Sequence, residues 1–145
     1  MMLLGLTLVL AAVAVGGAAF PPDVAEALRT AKHVYVSTRR ADGTESKAVP
    51  VWFIVDGDAL LFTTGPNSHK VRRIRHGSPL FVHVGSAGGP RFVGHAELLQ
   101  DPALAEQMAP VYRQKYWIAW LGFFVPDPAR VRAGKTTLVR VTPAS

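Results

Sequence analysis

The fold is decided by residues 47–75, which read KAVPVWFIVDGDALLFTTGPNSHKVRRIR. Two apolar runs rich in β-branched and aromatic residues flank Asp56-Gly57, a dipeptide typical of tight turns because glycine accepts a positive φ. The second run ends in Thr63-Thr64, and a Gly-Pro-Asn-Ser loop then leads into a short basic segment. This order predicts a strand, a turn, a second strand and a helix that begins at the loop.

The first of these strands is apolar on both faces. Its alternating positions are Val49, Val51, Phe53 and Val55 on one side and Ala48, Pro50, Trp52 and Ile54 on the other. Each face must be covered, one by a barrel interior and the other by a helix, a partner subunit or a planar ligand. Pro50 has no N–H to donate to a ladder, so the strand lies at an edge or carries a bulge.

The basic segment after the loop is a candidate anion site. Asn67 or Ser68 is predicted to cap the helix, and Lys70 follows within its first turn. Free amides, a cap hydroxyl and a nearby ammonium together suit a phosphate group. Arg72, Arg73 and Arg75 extend the positive field. The alternative is a solvated basic helix, because charged faces are usually hydrated.

The rest of the chain supplies the other elements of a small barrel. The predicted elements are a helix from about Asp23 to Lys32, a strand Val34–Thr38 followed by an Asp42-Gly43 turn, a hairpin of Leu80–Val84 and Arg91–Gln100, a helix opened by Asp101-Pro102, and a closing strand Lys135–Thr142. The sum is an α+β, mainly β fold: a six-stranded antiparallel, closed or split β-barrel with two or three short helices.

Composition limits the classes of function. A chain of 145 residues with 49% hydrophobic content can bury one ordinary core. The absence of cysteine excludes disulfides, thiolate metal sites and cysteine nucleophiles. A formal charge of +6 favours anionic partners, among them phosphorylated cofactors. No recognised nucleic-acid motif accompanies the basic helix, so nucleic acid is not the expected partner.

The first 20 residues form a separate apolar segment without charged side chains, about the length of a membrane-spanning helix. An uncleaved anchor is one interpretation, with the folded domain of residues 24–142 in the cytoplasm. A signal peptide cleaved near Gly17-Ala18-Ala19 is another, and it would export the domain. A mis-assigned start codon is the third.

Histidines and aromatic residues suggest further sites. A hairpin centred on residues 87 and 88 would put His83 and His95 on opposite faces, so no shared metal site is expected. His33 and His76 are expected as C-terminal helix caps. An aromatic region after the second helix is predicted to form core, a dimer seam or a substrate wall: Tyr112, Tyr116, Trp117, Trp120, Phe123 and Phe124.

Four motifs occur in a recognisable order: Thr38-Arg39-Arg40-Ala41-Asp42-Gly43, Val49-Pro50-Val51-Trp52-Phe53, Phe62-Thr63-Thr64 and Ser68-His69-Lys70-Val71-Arg72-Arg73-Ile74-Arg75. With them the chain resembles the pyridoxamine 5'-phosphate oxidase-like, FMN-binding split-barrel superfamily over residues 25–142. It is most similar there to the small flavin- and deazaflavin (F420)-dependent reductases.

The resemblance implies a set of cofactor-binding residues. Those matching the family's phosphate grip are Lys47, Ser68, His69 and Lys70; those beside the ring are Val49, Pro50, Val51 and Trp52; those near the ribityl chain are Thr63 and Thr64. His69 stands where the oxidases carry Arg, which removes a bidentate phosphate ligand. Trp52 stands where they carry Lys.

The resemblance further implies an FMN- or F420-dependent oxidoreductase that acts on a small organic molecule by hydride transfer, as a homodimer with the cofactor at the interface. The cofactor carries the reaction in such enzymes, and no catalytic residue or triad is identified in the sequence. The alternative is a non-catalytic protein of the same fold that holds flavin or haem.

Overall fold

The computed structural model describes residues 19–121 and 125–144. Their elements, in chain order, are α1 (Pro22–Leu28), β1 (Val34–Thr38), β2 (Val49–Val51), β3 (Ile54–Asp56), β4 (Ala59–Thr64), α2 (His69–Arg75), β5 (Leu80–Val84), β6 (Arg91–Leu99), α3 (Pro102–Lys115), a 3-10 turn (Trp117–Leu121), α4 (Pro128–Arg132) and β7 (Thr137–Pro143). The predicted N-terminal segment lies outside the described residues up to position 18, and Phe123 and Phe124 also lie outside them.

The strands form one antiparallel sheet in the order β2-β1-β5-β6-β7-β4-β3. Its two edge strands, β2 and β3, are consecutive in the chain and are separated only by Trp52 and Phe53. The sheet must therefore curl until its edges nearly meet. The predicted α+β antiparallel class is confirmed, whereas the predicted count of six strands is wrong because the sheet has seven.

The extra strand arises where the predicted run of residues 47–55 breaks in two. Val51 pairs with Val34 of β1, but Ile54 pairs with Leu61 of β4 on the opposite edge. Phe53 and Ile54 are both buried, so the inside-outside alternation shifts by one residue at the break. The outer positions at the two ends of the run, Val49 and Val55, stay exposed in the single chain.

The helices differ from the prediction in number and length. The fourth helix, α4, follows Asp127, whose carboxylate accepts a hydrogen bond from the Ala129 amide at 2.8 Å. The first helix ends at Leu28 rather than Lys32. The second and third begin as predicted, because Ser68 and Asp101 accept hydrogen bonds from amides of the first turns of α2 and α3.

Both faces of the sheet bury apolar side chains. Leu60 and Phe62 of β4 point into the barrel, where they pack in one cluster with Val82 and Val139. Leu61, between them, belongs to a second cluster on the outer face, covered by α3. This burial on both faces explains why β4 has a continuous apolar sequence.

Helix α2 crosses one end of the barrel. Strands β1 and β4 run in the same direction, since four antiparallel steps separate them in the sheet. The helix begins just after Thr64 at the end of β4, and its Arg73 guanidinium donates to Thr38 Oγ1 at the end of β1, at 3.3 Å. Its buried stripe is Val71 and Ile74. The helix therefore closes this end and presents its basic faces outward.

The β5–β6 hairpin has a different register from the expected one. His83 pairs with Arg91, and Leu80 pairs with Gly94. His83 and His95 consequently share the outer face, and the expectation that they lie on opposite faces is wrong by one residue of register. Residues 19–121 and 125–144 contain no group of three or more His, Asp or Glu side chains placed to hold a metal ion. No helix in those ranges is long and apolar enough to cross a membrane.

Candidate functional site

A gap separates β2 from β4 where the sheet fails to close. Strand β4 pairs with β3 only from Ala59 to Leu61, so its last three residues, Phe62–Thr64, pair on the β7 side alone. Strand β2 pairs with β1 alone. Two short backbone edges therefore have no strand partner among residues 19–121 and 125–144, and we call the space between them the split. Unpaired backbone donors and acceptors are the groups with which a strand edge can bind a ligand.

The split contains a cavity of about 300 Å³. Its lining comprises Pro50, Val51 and Trp52 from β2 and the residue after it, Thr63 from β4, and His33 and Tyr112. Four of these six residues belong to the cofactor set predicted from the sequence. The other two were missed. His33 is not the expected helix cap, because α1 ends at Leu28 and its C-cap is Arg29.

Two tyrosines hold the break in the β2–β3 run. The Tyr112 hydroxyl donates to the Trp52 carbonyl at 3.1 Å. The Tyr116 hydroxyl accepts a hydrogen bond from the Phe53 amide at 3.0 Å and donates one to the Lys32 carbonyl at 2.8 Å. The Tyr116 ring stacks on Trp52 with centroids 4.2 Å apart and planes 2° apart. Backbone and indole are thus fixed at the wall of the cavity.

Burial changes the pKa values of the groups behind this wall. It raises the pKa of Tyr116 to about 12 and raises that of Tyr112 as well, so both hydroxyls stay protonated at neutral pH. Burial, together with the nearby Lys32, lowers the pKa of Lys115 to about 8. The Lys115 ammonium donates to the Phe53 carbonyl at 2.9 Å and lies 3.2 Å from the centroid of the Phe53 ring.

A polar cluster lies at the end of β4, one residue beyond the cavity lining. Lys70 Nζ donates to Thr64 Oγ1 at 3.3 Å, and Thr64 Oγ1 lies 3.4 Å from Ser68 Oγ. Thr64 directly follows Thr63, which lines the cavity. Burial lowers the pKa of the half-buried Lys70 ammonium. Two hydroxyls and an ammonium at one point can together coordinate an oxyanion.

Three predicted site residues are not part of the cavity lining or of this cluster. Lys47 is exposed ahead of β2. Val49 is 37% exposed at the first position of β2. The His69 imidazole is exposed, and its Nδ1 lies 2.8 Å from Arg72 NH2 on the same helix. The structure therefore places four of the ten predicted residues at the cavity and three in the polar cluster.

The aromatic region after α3 has two different environments. Tyr112 and Tyr116 are buried against Trp52, whereas Trp117 is 77% exposed. The spacing of Tyr112 and Tyr116 on one helix face was the signal for their packing, but their hydrogen bonds to residues 52 and 53 are long-range and left no local pattern.

Comparison with known proteins gives a family and a fold. A family model described as pyridoxamine 5'-phosphate oxidase matches residues 20–145. No curated protein sequence matches the chain significantly.

Among solved structures, an F420 reductase is 21% identical with a TM-score of 0.59, covering 87% of this chain and 97% of its own. General stress protein 26 from Bacillus anthracis is 17% identical, with a TM-score of 0.60 and coverage of 83% and 86%. The heme storage protein HutZ from Vibrio cholerae is 12% identical, with a TM-score of 0.61 and coverage of 88% and 92%. At these identities the structures establish a shared fold.

Proposed function

The chain belongs to the pyridoxamine 5'-phosphate oxidase family, and from this premise we propose that it is an oxidoreductase that binds FMN or the deazaflavin F420 in the split. The observation that carries the proposal is that the end of β4 contributes to both surfaces: Thr63 lines the cavity walled by Pro50, Val51 and Trp52, and the next residue, Thr64, joins Ser68 and Lys70 in the polar cluster. A flat ring with a phosphorylated side chain requires these two kinds of surface next to each other.

The residues present fit such a cofactor. A flavin-type ring has two flat apolar faces and an edge of hydrogen-bonding atoms, and the split offers apolar side chains beside unpaired backbone groups. The phosphate would be held by Ser68 and Lys70, with Thr64 beside them. Lys47 and His69 remain proposed outer contributors to this grip, and Val49 and Thr63 remain proposed neighbours of the ring and its ribityl chain.

A bound flavin or deazaflavin supplies the hydride transfer itself. The residues of this chain would then bind the cofactor, orient it and shield it from water. Tyr112 and Tyr116 fix the Trp52 carbonyl and indole and the Phe53 amide, which keeps the wall rigid. No side chain is assigned a catalytic proton transfer, and the substrate is proposed to be a small organic molecule.

A non-catalytic binding role is the second candidate. His33 lines the same cavity, and a neutral imidazole is a common axial ligand of haem iron. The fold is shared by an F420 reductase and by a heme storage protein, so it does not select between the two roles. A protein that holds flavin or haem without turnover would use the same split.

We further propose that the chain forms a homodimer with the cofactor at the interface. Apolar side chains left exposed on the single chain support this: Trp117 is 77% exposed, Val93 39% and Val49 37%. A partner subunit would bury them and cover the cavity. Light scattering of the purified protein at several concentrations tests the dimer.

All three interpretations of residues 1–20 stay open as proposals, and the anchor and the signal peptide differ in the localisation they imply. As an anchor they would tether a cytoplasmic domain, and as a signal peptide they would export it. Mass spectrometry of the mature N-terminus distinguishes the two, because only a signal peptide is removed.

The decisive experiment identifies the chromophore. The purified full chain is examined by absorption spectroscopy, and any bound molecule is released and identified by mass spectrometry. The protein freed of ligand is then titrated with FMN, F420 and haemin. We expect saturable binding of FMN or F420, followed by reduction of the bound cofactor and reoxidation by a small organic acceptor. Binding without reoxidation supports the holding role, and a folded protein that binds none of the three overturns the proposal.

A further inference from the structure

A second cavity of about 300 Å³ lies at the far end of α2 from the Thr64-Ser68-Lys70 cluster. Its lining consists of Arg39, Arg40, Ala41, Arg73, His76, Gly77 and Ser78. The walls come from two elements, the segment after β1 and the last turn of α2. None of these residues lines the cavity in the split.

The lining includes three arginines and no acidic residue. Among the described residues no carboxylate lies within 4.0 Å of Arg39, Arg40 or Arg73. The nearby acids already have other partners: Asp42 accepts two hydrogen bonds from Thr44, and Glu45 pairs with Arg91 at 2.7 Å. Asp42 interacts electrostatically with Arg40 but forms no ion pair with it within 4.0 Å, so the lining keeps a net positive charge that a bound anion would balance.

Each of the three arginine side chains has a contact within the chain, and most N–H donors of their guanidinium groups have no partner among the described residues. Arg40 NH1 donates to the Glu45 carbonyl at 2.6 Å. Arg73 NH1 donates to buried Thr38, and the Arg39 guanidinium lies 5.3 Å from the centroid of the Phe81 ring. A guanidinium has five N–H donors, so one or two internal bonds leave a fork for an oxyanion.

The carbonyl groups at the C-terminal end of α2 do not repel an anion in this cavity. The carbonyls of its last turn would repel one if they were free. The amides of His76, Gly77 and Ser78 instead donate to the carbonyls of residues 72–74 and cap them. The guanidiniums thus dominate the local field.

We infer that this arginine-lined cavity, formed by Arg39, Arg40 and Arg73, is a second anion site that takes a phosphate group, separate from the proposed cofactor headgroup site. Arginines converging from two elements suit a doubly charged, tetrahedral oxyanion with several acceptors. The cavity volume of about 300 Å³ is large enough for inorganic phosphate and also for the phosphate group of a phosphomonoester.

The test measures binding of inorganic phosphate and of glycerol phosphate to the full chain at constant ionic strength, by calorimetry and with chloride as the reference salt. We expect Arg73→Gln and Arg40→Gln each to weaken phosphate affinity about tenfold, as loss of one charge-assisted contact implies. Arg75→Gln is the matched control, because Arg75 is exposed on the same helix and lines neither cavity. Tighter binding of the ester than of phosphate would identify the source as a phosphorylated metabolite.

Two further measurements keep the inference distinct from the proposed function. Lys70→Ala should remove only phosphate binding at the Thr64-Ser68-Lys70 cluster and leave the binding step that Arg40→Gln weakens, and FMN or F420 binding should survive Arg40→Gln. Thermal unfolding shows whether Arg73→Gln still folds, since Arg73 contacts Thr38, and Arg40→Gln stands in if it does not. Equal losses in Arg40→Gln and Arg75→Gln, or no phosphate binding by the wild type, overturn the inference whatever the cofactor result.

Discussion

Lys70 is the residue on which the proposed headgroup site depends most. Its ammonium is half-buried and donates to Thr64 beside the Ser68 cap. We expect Lys70→Ala to weaken binding of FMN or F420 by about 10- to 100-fold, because a hydrogen bond to a charged group is worth ~1.5–3 kcal/mol. The measurement is a fluorescence or absorbance titration of the ligand-free protein.

Arg75→Ala is the control for this variant. Arg75 is exposed at the other end of α2 and lines neither cavity. Its removal lowers the net charge by the same amount, so a general electrostatic effect would appear in both variants. Equal loss of affinity in the two would mean that the helix acts only through diffuse positive charge.

Lys115 gives a prediction for the pH dependence of stability. Its pKa falls from the ordinary 10.5 to about 8 in the folded protein. Between these values the unfolded chain binds more protons than the folded chain, so this residue's contribution makes the free energy of unfolding rise with pH in that window. We expect the wild type to gain stability relative to Lys115→Met between about pH 8 and pH 10, measured by urea unfolding.

Lys135→Met serves as the reference, because Lys135 is exposed in the turn before β7. Its difference from the wild type should stay flat over the same range. A flat difference for Lys115→Met as well would show that the ammonium is not desolvated over the Phe53 ring.

At the scale of elements, the break at Trp52-Phe53 shapes both the sheet and the split. The Tyr116 hydroxyl accepts a hydrogen bond from the Phe53 amide at the break and donates one to the Lys32 carbonyl. We expect Tyr116→Phe to lower the free energy of unfolding by about 1–3 kcal/mol, the cost of leaving a buried backbone group unpaired. Chemical unfolding followed by circular dichroism measures this change.

Tyr35→Phe is the matched substitution, because no hydrogen bond of the Tyr35 hydroxyl is present among the described residues. It should change stability by less than about 0.5 kcal/mol, as substitutions away from such contacts usually do. If Tyr116→Phe were equally mild, the break would be held by ring stacking alone.

Sequence patterns predicted the elements better than their pairings. The turn at Asp56-Gly57, the Ser68 cap and the apolar β4 are local signals, and each appears in the structure. The break in the β2–β3 run left no such signal, because Trp52 and Phe53 both favour strands. A one-residue register change in the β5–β6 hairpin moved His83 and His95 to one face, and a flexible Gly-rich loop does not fix register.

The residues of the candidate site divide in the same way into those with a local sequence signal and those without one. Pro50, Val51, Trp52 and Thr63 were predicted because family-like motifs are local in sequence. His33 and Tyr112 were missed because they reach the cavity only through folding: His33 precedes the strand that pairs with Val51, and Tyr112 comes from α3.

For the whole molecule, the packed domain includes residues before the first helix. The Phe20 ring meets Phe92 edge-on with centroids 5.5 Å apart. We therefore expect a chain lacking residues 2–18 but keeping Phe20 to remain folded and to bind the same cofactor. Size-exclusion chromatography, circular dichroism and cofactor titration check this.

A further shortening to remove Phe20 should lower the melting temperature, since it exposes the Phe92 ring. Phe20→Ala in the chain that lacks residues 2–18 removes only the ring. Its melting temperature therefore shows how much of the loss is due to the ring and how much to the backbone of the removed residues. If the chain lacking residues 2–18 were already unfolded, the segment would be part of the domain rather than an appendage.

The split also bears on how the protein behaves in a crowded cell. Bare strand edges recruit strands from other molecules and can seed fibrils. Here the bare edges of β2, of β3 and of the end of β4 are each only three residues long, and that of β2 carries Pro50. A strand from another molecule that paired there would find too few backbone groups to extend the sheet. We therefore expect the open split not to template aggregation.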